Sequence, residues 1–171
     1  MYLVLWMYND LGGFYEHFLI RNIIIGIGYV WCSFGIIKVV SDGHGLSHVG
    51  YIWSGILCVL IATTMDIQDL RDQEGDRLVR RKTTPLLLGD TVARWLIVVA
   101  LIGWSILCPA YWSLGIGYYF LPLFSAGIIC YRVLSMRNPV ADELSYKLWG
   151  IWLSSMFVLP LCYDHSVFYR H

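Results

Sequence analysis

The sequence predicts an all-α protein, a multi-span bundle of transmembrane helices. Three observations carry that reading. Of 171 residues, 58% are hydrophobic and only 14% are charged. The mean hydropathy is +0.62, far above that of a soluble domain, where about a quarter of residues are charged. Apolar runs close to the roughly 20 residues that cross a bilayer recur along the chain, parted by short polar turns. The cations, finally, are unevenly shared between those turns.

Met1 to Tyr8 is less than half a crossing and reads as the tail of a helix. Asn9-Asp10-Leu11-Gly12-Gly13 is a turn signal, and Phe14 to Arg21 is a short interfacial link. The first full span is expected over about Asn22 to Val40, with Lys38 near its end and able to snorkel. Ser41-Asp42-Gly43-His44-Gly45 is the next turn, and the second span runs from about Val49 to Met65. Thr84 is expected as an N-cap with Pro85 at the first helical position, opening a short helix that Gly89 ends. Asp90 or Thr91 then caps a third span, about Val92 to Ala110. The fourth, about Leu114 to Leu134, should kink at Pro122. The fifth covers about Leu144 to Tyr163. The expectation is five spans and an N-terminal stub in a single transmembrane domain over residues 1–171.

With five spans, Arg21, Arg71, Arg77, Arg80, Arg81, Lys82, Arg94, Arg132, Arg137 and Lys147 fall on one side, and only Lys38 and Arg170 on the other. Short loops rich in Lys and Arg stay in the cytosol, so the side carrying the ten is expected to be cytosolic. Zero net charge gives no reason to expect a nucleic-acid partner. Cys32, Cys58, Cys108, Cys130 and Cys162 are scattered through apolar runs without a C-x-x-C pair. They read as small buried hydrophobes, with neither a zinc site nor a disulfide framework.

The exception to this apolar pattern is the loop after the second span, residues 66–89. Asp66, Asp69, Asp72, Glu74 and Asp76 lie among Arg71, Arg77, Arg80, Arg81 and Lys82 within 17 residues. An isolated charge run is ordinarily a solvated, salt-bridged loop. At the mouth of a span, ionisable groups are costly and mark function. Steps of three and four put the carboxylates on one face of a continuing helix. Hard cations such as Mg²⁺ take carboxylate oxygens and complete their shell with water and substrate phosphate. The arginines and lysine can pair with those carboxylates or with phosphate. A magnesium-bridged diphosphate site fits both halves of the cluster.

His44 and His48 stand four apart, a spacing that can bind metal on a helix, but beside Gly43 and Gly45 and away from the cluster. The aromatics Trp104, Trp112, Tyr118, Tyr119, Phe120 and Trp152 are expected chiefly as helix packing and interfacial belt. No EF-hand, P-loop, Ser/His/Asp arrangement or dinucleotide fingerprint is present. No span carries a charge near its middle, which argues against a transporter.

The stretch from Gln68 to Arg77, followed by Arg81-Lys82-Thr83-Thr84-Pro85-Leu86-Leu87-Leu88-Gly89, resembles the second aspartate-rich motif of the UbiA superfamily of intramembrane prenyltransferases. That pattern is Asp-x-x-Asp-x-Glu-Gly-Asp-Arg, then a basic residue, Thr, x, Pro and Leu-Gly. Asp69, Asp72 and Asp76 fall on its aspartates, with Asp66 one turn earlier. The match looks closest to the fungal-type branch, which holds both prenyltransferases and membrane terpene cyclases. Ser145-Tyr146-Lys147-Leu148-Trp149 looks like the start of the family's last helix.

The resemblance implies a fold of nine transmembrane helices, of which the five spans correspond to helices 5 to 9. It implies a cytosolic site in which two aspartate motifs hold a prenyl diphosphate through Mg²⁺. On this chain Asp69, Asp72, Asp76 and Asp66 would hold the metal, and Arg77, Arg81, Lys82 and Arg71 are the candidate diphosphate contacts. The first motif, of the type Asn-x-x-x-Asp-x-x-x-Asp, is not found. A complementing N-terminal half or a second copy is then expected to close the cavity against the lipid bilayer. The implied activity is transfer of a prenyl group from an isoprenoid diphosphate to an acceptor, in quinone, meroterpenoid or other terpenoid biosynthesis. The alternatives are a membrane terpene cyclase using the same diphosphate site, and a truncated, non-catalytic membrane protein that keeps the second motif.

Overall fold

A computed structural model describes residues 18–40 and 47–163, with the backbone alone for Phe18 and residues 36–40. The N-terminal stub, the turns at residues 9–13 and 41–45, His44 and the Lys38 side chain lie outside the described residues. Among those described, every regular element is a helix, as an apolar chain that must satisfy its own backbone in lipid requires.

The described residues divide into two compact units, one up to Thr63 and the other from Thr64 to Tyr163. In the first, α1 spans Phe18–Val40 and α2 spans His48–Thr64. A Cβ added at Gly26 would come 2.8 Å from the carbonyl oxygen of Cys58. The bare backbone at Gly26 is what lets the two helices approach, as small residues do in membrane packing. Arg21, read from the sequence as part of a link, is helical and donates through Nη2 to Oδ1 of Asn22 at 3.1 Å.

The second unit begins where α2 passes into a 3-10 segment, Met65–Leu70. Then come α3 (Gln73–Leu78), α4 (Thr84–Leu88) and α5 (Asp90–Tyr111). A 3-10 turn at Ile116–Tyr119 precedes α6 (Phe120–Ser135), and α7 (Pro139–Tyr163) closes the unit. The α5, α6 and α7 helices pack on one another. On α5, Ala93, Ile97, Val98, Leu101, Ser105 and Cys108 are buried, a stripe at steps of three and four. The opposite face, with Trp95, Leu96, Val99, Ile102 and Leu107, is exposed, as a lipid-facing surface is. Two buried indoles join the helices by hydrogen bonds. Trp152 donates to Ser105 Oγ at 2.9 Å, and Trp149 donates to Thr64 Oγ1 at 3.1 Å.

Among the described residues, three helical stretches are long and apolar enough to cross a membrane, His48–Leu70, Asp90–Tyr111 and Ile116–Ser135, and Leu19–Gly35 is an apolar stretch within α1. The sequence led us to expect five spans. The α7 helix has the length, 25 residues, but Asp142, Glu143 and Lys147 crowd its first turns and lower its apolar character. Pro122 was expected to kink the fourth span. It instead occupies the first turn of α6, where a missing N–H costs nothing, and the break falls earlier, in the 3-10 turn. Gly89 ends α4 and begins α5 with φ +91°, a conformation in which a Cβ would be strained. That sharp turn carries the chain from the motif loop into α5.

Candidate functional site

Two groups of charges meet at one end of the second unit. The first is centred on Arg94, which lies on the buried stripe of α5 and is 2% exposed. Its Nε donates to both oxygens of Asp90 at 2.9 Å. Its Nη1 donates to the Val133 carbonyl at 2.7 Å and to Asp142 Oδ1 at 2.8 Å. Its Nη2 donates to Asp142 Oδ2 at 2.7 Å. A single guanidinium thus fastens the start of α5, the end of α6 and the start of α7. The fork geometry of arginine suits this, because two parallel N–H groups match a carboxylate. Asp90 and Asp142 also sit in the first turns of their helices, where negative charge is favoured by the helix dipole.

The motif loop is tied to this hub at two points. Gln73 donates through Nε2 to Asp90 Oδ1 at 2.8 Å and to the Leu70 carbonyl at 3.2 Å. Arg71 pairs with Glu143 on α7, and its guanidinium stands 4.9 Å from the Tyr146 ring centroid. The hydrogen bond from Arg71, joined by Lys147, holds the Glu143 carboxyl below the usual glutamate range. The same bond raises Arg71. Both groups stay charged at neutral pH.

The second group is the motif itself. Asp66, Asp69 and Asp76 are buried, at 7%, 2% and 3% exposure. Asp72 instead occupies the N-cap position of α3 without a side-chain capping bond, its side chain 64% exposed and 3.5 Å from the Arg71 Nε. The continuous helical face expected from the spacing is therefore broken between Leu70 and Gln73, where the chain leaves the 3-10 segment and restarts as α3. Arg81 donates to Asp76 Oδ1 at 2.7 Å. Asp76 Oδ2 is buried and has no hydrogen-bond partner. Among the described residues, no three His, Cys, Asp or Glu side chains gather closely enough to form a metal cluster. His48, at the first residue of α2, belongs to no such group either.

The predicted diphosphate contacts are dispersed. Arg71 is held by Glu143 and Arg81 by Asp76, while Arg77 and Lys82 are exposed. A cavity of about 630 Å³ opens beside the loop, lined by Arg71, Arg77, Arg94 and Arg137 with Asp72, Glu74, Asp90 and Asp142 among others. Its lining matches four arginines with four acidic residues, so it carries no net positive charge for an anion. Asp66, Asp69, Asp76 and Arg81 do not line it.

A family model described as the UbiA prenyltransferase family matches residues 1–168. The chain belongs to the UbiA family. It is 33% identical over 159 residues to the fumagillin beta-trans-bergamotene synthase of Aspergillus fumigatus, covering 91% of this chain and 53% of the relative. It is 28% identical over 157 residues to the somaliensene A/B synthase of Streptomyces somaliensis, covering 87% and 51%. It is 35% identical over 103 residues to a diterpene cyclase of Hericium erinaceus, covering 57% and 30%. The chain spans about half the length of the first two of these UbiA relatives. No solved structure matches it.

Members of the UbiA family generally work with Mg²⁺ and a prenyl diphosphate, and the donor chemistry here suits that ion. Mg²⁺ is usually held by one or two carboxylates, with water and substrate phosphate in the other positions, so a three-carboxylate cluster is not required. The buried, unpartnered Oδ2 of Asp76 is a hard oxygen donor, the kind of atom Mg²⁺ takes. Sequence reasoning missed the hub, namely Gln73, Arg94, Asp142 and Glu143, and assigned Asp90 only as a cap. One signal was available. Arg94 stands on the same stripe as Ile97, Val98 and Leu101, and a cation on an apolar stripe needs a buried partner.

Proposed function

We propose that this protein acts on an isoprenoid diphosphate at the membrane surface, ionising the allylic C–O bond with Mg²⁺. One observation supports this above the rest: a matched aspartate motif, with three buried carboxylates and one unpartnered oxygen, is delivered by the end of an apolar span. Asp69 and Asp76, with Asp66 and Asp72, are the proposed metal ligands. Arg77, Arg81, Lys82 and Arg71 are the proposed diphosphate contacts. Bound Mg²⁺ supplies Lewis-acid neutralisation of the leaving diphosphate. The basic side chains stabilise the same charge as it develops. The hub keeps the motif loop in register with the ends of α5 and α7. The apolar helices give the prenyl tail a medium like the bilayer from which it partitions. The motif loop is proposed to be cytosolic from its cation excess.

The step after ionisation separates two readings. Transfer of the prenyl group to an acceptor accords with family membership. Cyclisation without an acceptor is favoured by the relatives, which are named as terpene synthases and a diterpene cyclase. The test is to incubate membranes carrying the protein with farnesyl and geranylgeranyl diphosphate and Mg²⁺, and to analyse hexane extracts by gas chromatography and mass spectrometry. A cyclic hydrocarbon formed without acceptor selects cyclisation. Product formed only with an added aromatic acceptor selects transfer. No diphosphate release from either substrate would remove the catalytic reading and leave a non-catalytic role, or the need for a complementing half.

A further inference from the structure

We infer that Arg81 is an exchangeable counter-ion for Asp76: it occupies the carboxylate when the site is empty and gives it up to a divalent cation. This rests on the metal reading of Asp76 and goes beyond it, because it gives Arg81 two alternating partners.

Three observations converge. Asp76 is 3% exposed, and a buried carboxylate without a positive partner is very unfavourable. Arg81 meets that need at 2.7 Å on Oδ1, while Oδ2 stays unpartnered, so the carboxylate is half used. The backbone is bent to make this contact. Arg80 adopts φ +57°, in the left-handed region that costs a residue with a Cβ about 1–2 kcal/mol. The turn brings the Arg81 N–H to the Asp76 carbonyl at 2.9 Å and its side chain back over the carboxylate. A turn of this kind ordinarily carries glycine. Strain retained beside a half-used carboxylate is the pattern of a ligand clamp.

The charges dictate the exchange. A guanidinium and a divalent cation on one carboxylate repel each other. A diphosphate entering with the metal offers Arg81 oxygens of higher charge than Asp76 does. Arg81 then leaves Asp76 for the diphosphate, and the turn at Arg80 is where the chain can reopen.

The test uses the full chain in detergent and Mn²⁺ as the probe, its free concentration read by electron paramagnetic resonance, with and without inorganic diphosphate. Arg81→Gln removes the competitor. It should bind Mn²⁺ alone about tenfold tighter than the wild type, the scale of a close charge pair. Its gain in affinity on adding diphosphate should be smaller than the wild-type gain. Arg80→Asn removes an equal charge next door and tolerates positive φ, so it should change Mn²⁺ affinity less than about twofold. Arg81→Lys, which keeps the charge but not the fork, should fall between and serves if Arg81→Gln does not fold. Equal or weaker Mn²⁺ binding in the Arg81 variants, or an equal gain from Arg80→Asn, would overturn the exchange while leaving the metal site intact. Absence of Mn²⁺ binding in wild type and variants alike would overturn the metal reading and the exchange together.

Discussion

Arg94 and Asp76 are both buried charges at the same end of the second unit, and they are treated differently. Arg94 spends its guanidinium on two carboxylates and a carbonyl. Asp76 has one oxygen on Arg81 and the other on nothing. The first arrangement is what a structural charge looks like: its guanidinium is bonded through Nε, Nη1 and Nη2, and three helix ends depend on it. The second leaves one carboxylate oxygen without a hydrogen bond, which is what the proposed role of Asp76 as a metal ligand requires. Burial alone does not separate the two, since both residues are almost fully enclosed. Satisfaction of hydrogen bonds does.

Breaking the hub should have the largest effect. Arg94→Met leaves Asp142 buried without a partner, which costs about 3–5 kcal/mol. Thermal unfolding in detergent should show a large drop in Tm. The double variant Arg94→Met with Asp142→Leu should recover most of the loss, because a well-packed apolar pair can replace a buried ion pair. Asp76→Asn should do the reverse. It should keep Tm close to wild type while weakening Mn²⁺ binding at least about tenfold. If Asp76→Asn unfolds the protein as Arg94→Met does, the contrast between the two residues fails.

Smaller effects sharpen the comparison. Trp149→Phe removes the indole bond to Thr64 and should cost about 1–3 kcal/mol, since the Thr64 hydroxyl is buried. The two positive-φ turns flanking the basic stretch should respond with opposite signs. Gly89→Ala places a Cβ at φ +91° and should destabilise by about 1 kcal/mol. Arg80→Gly relieves a strained residue and should be neutral or stabilising by up to about 1 kcal/mol. Chemical denaturation of the two variants beside the wild type checks both signs.

The helical class and the motif were legible because each leaves a local signature. A run of twenty apolar residues can be only a few things, and the Asp-x-x-Asp-x-Glu-Gly-Asp-Arg pattern is long. Thr84-Pro85 through Gly89 also read correctly as a short helix and its stop, although Thr83 rather than Thr84 takes the cap position. What local signals could not show was pairing across distance. Arg94 and Asp142 are 48 residues apart, and nothing near either names the other. In the sequence Arg94 counted as one more cation on the loop side, and in the structure it is a core residue. The break at Arg71 and Asp72 was hidden for a related reason. Steps of three and four imply one helical face only while the helix continues. Here it tightens to 3-10 and restarts, so Asp72 turns outward while Asp69 and Asp76 stay buried. Gln73, between them, looked like a neutral position in a charged run and is the residue that ties the loop to Asp90.

The most direct measurement of the central claim is Mg²⁺-dependent release of diphosphate from farnesyl diphosphate, and from geranylgeranyl diphosphate, by membranes carrying the protein. Wild type would be compared with Asp69→Asn and Asp76→Asn at equal protein level. The account predicts release that EDTA abolishes and Mg²⁺ restores, and that falls to background in both variants. Wild-type release in both variants would contradict it.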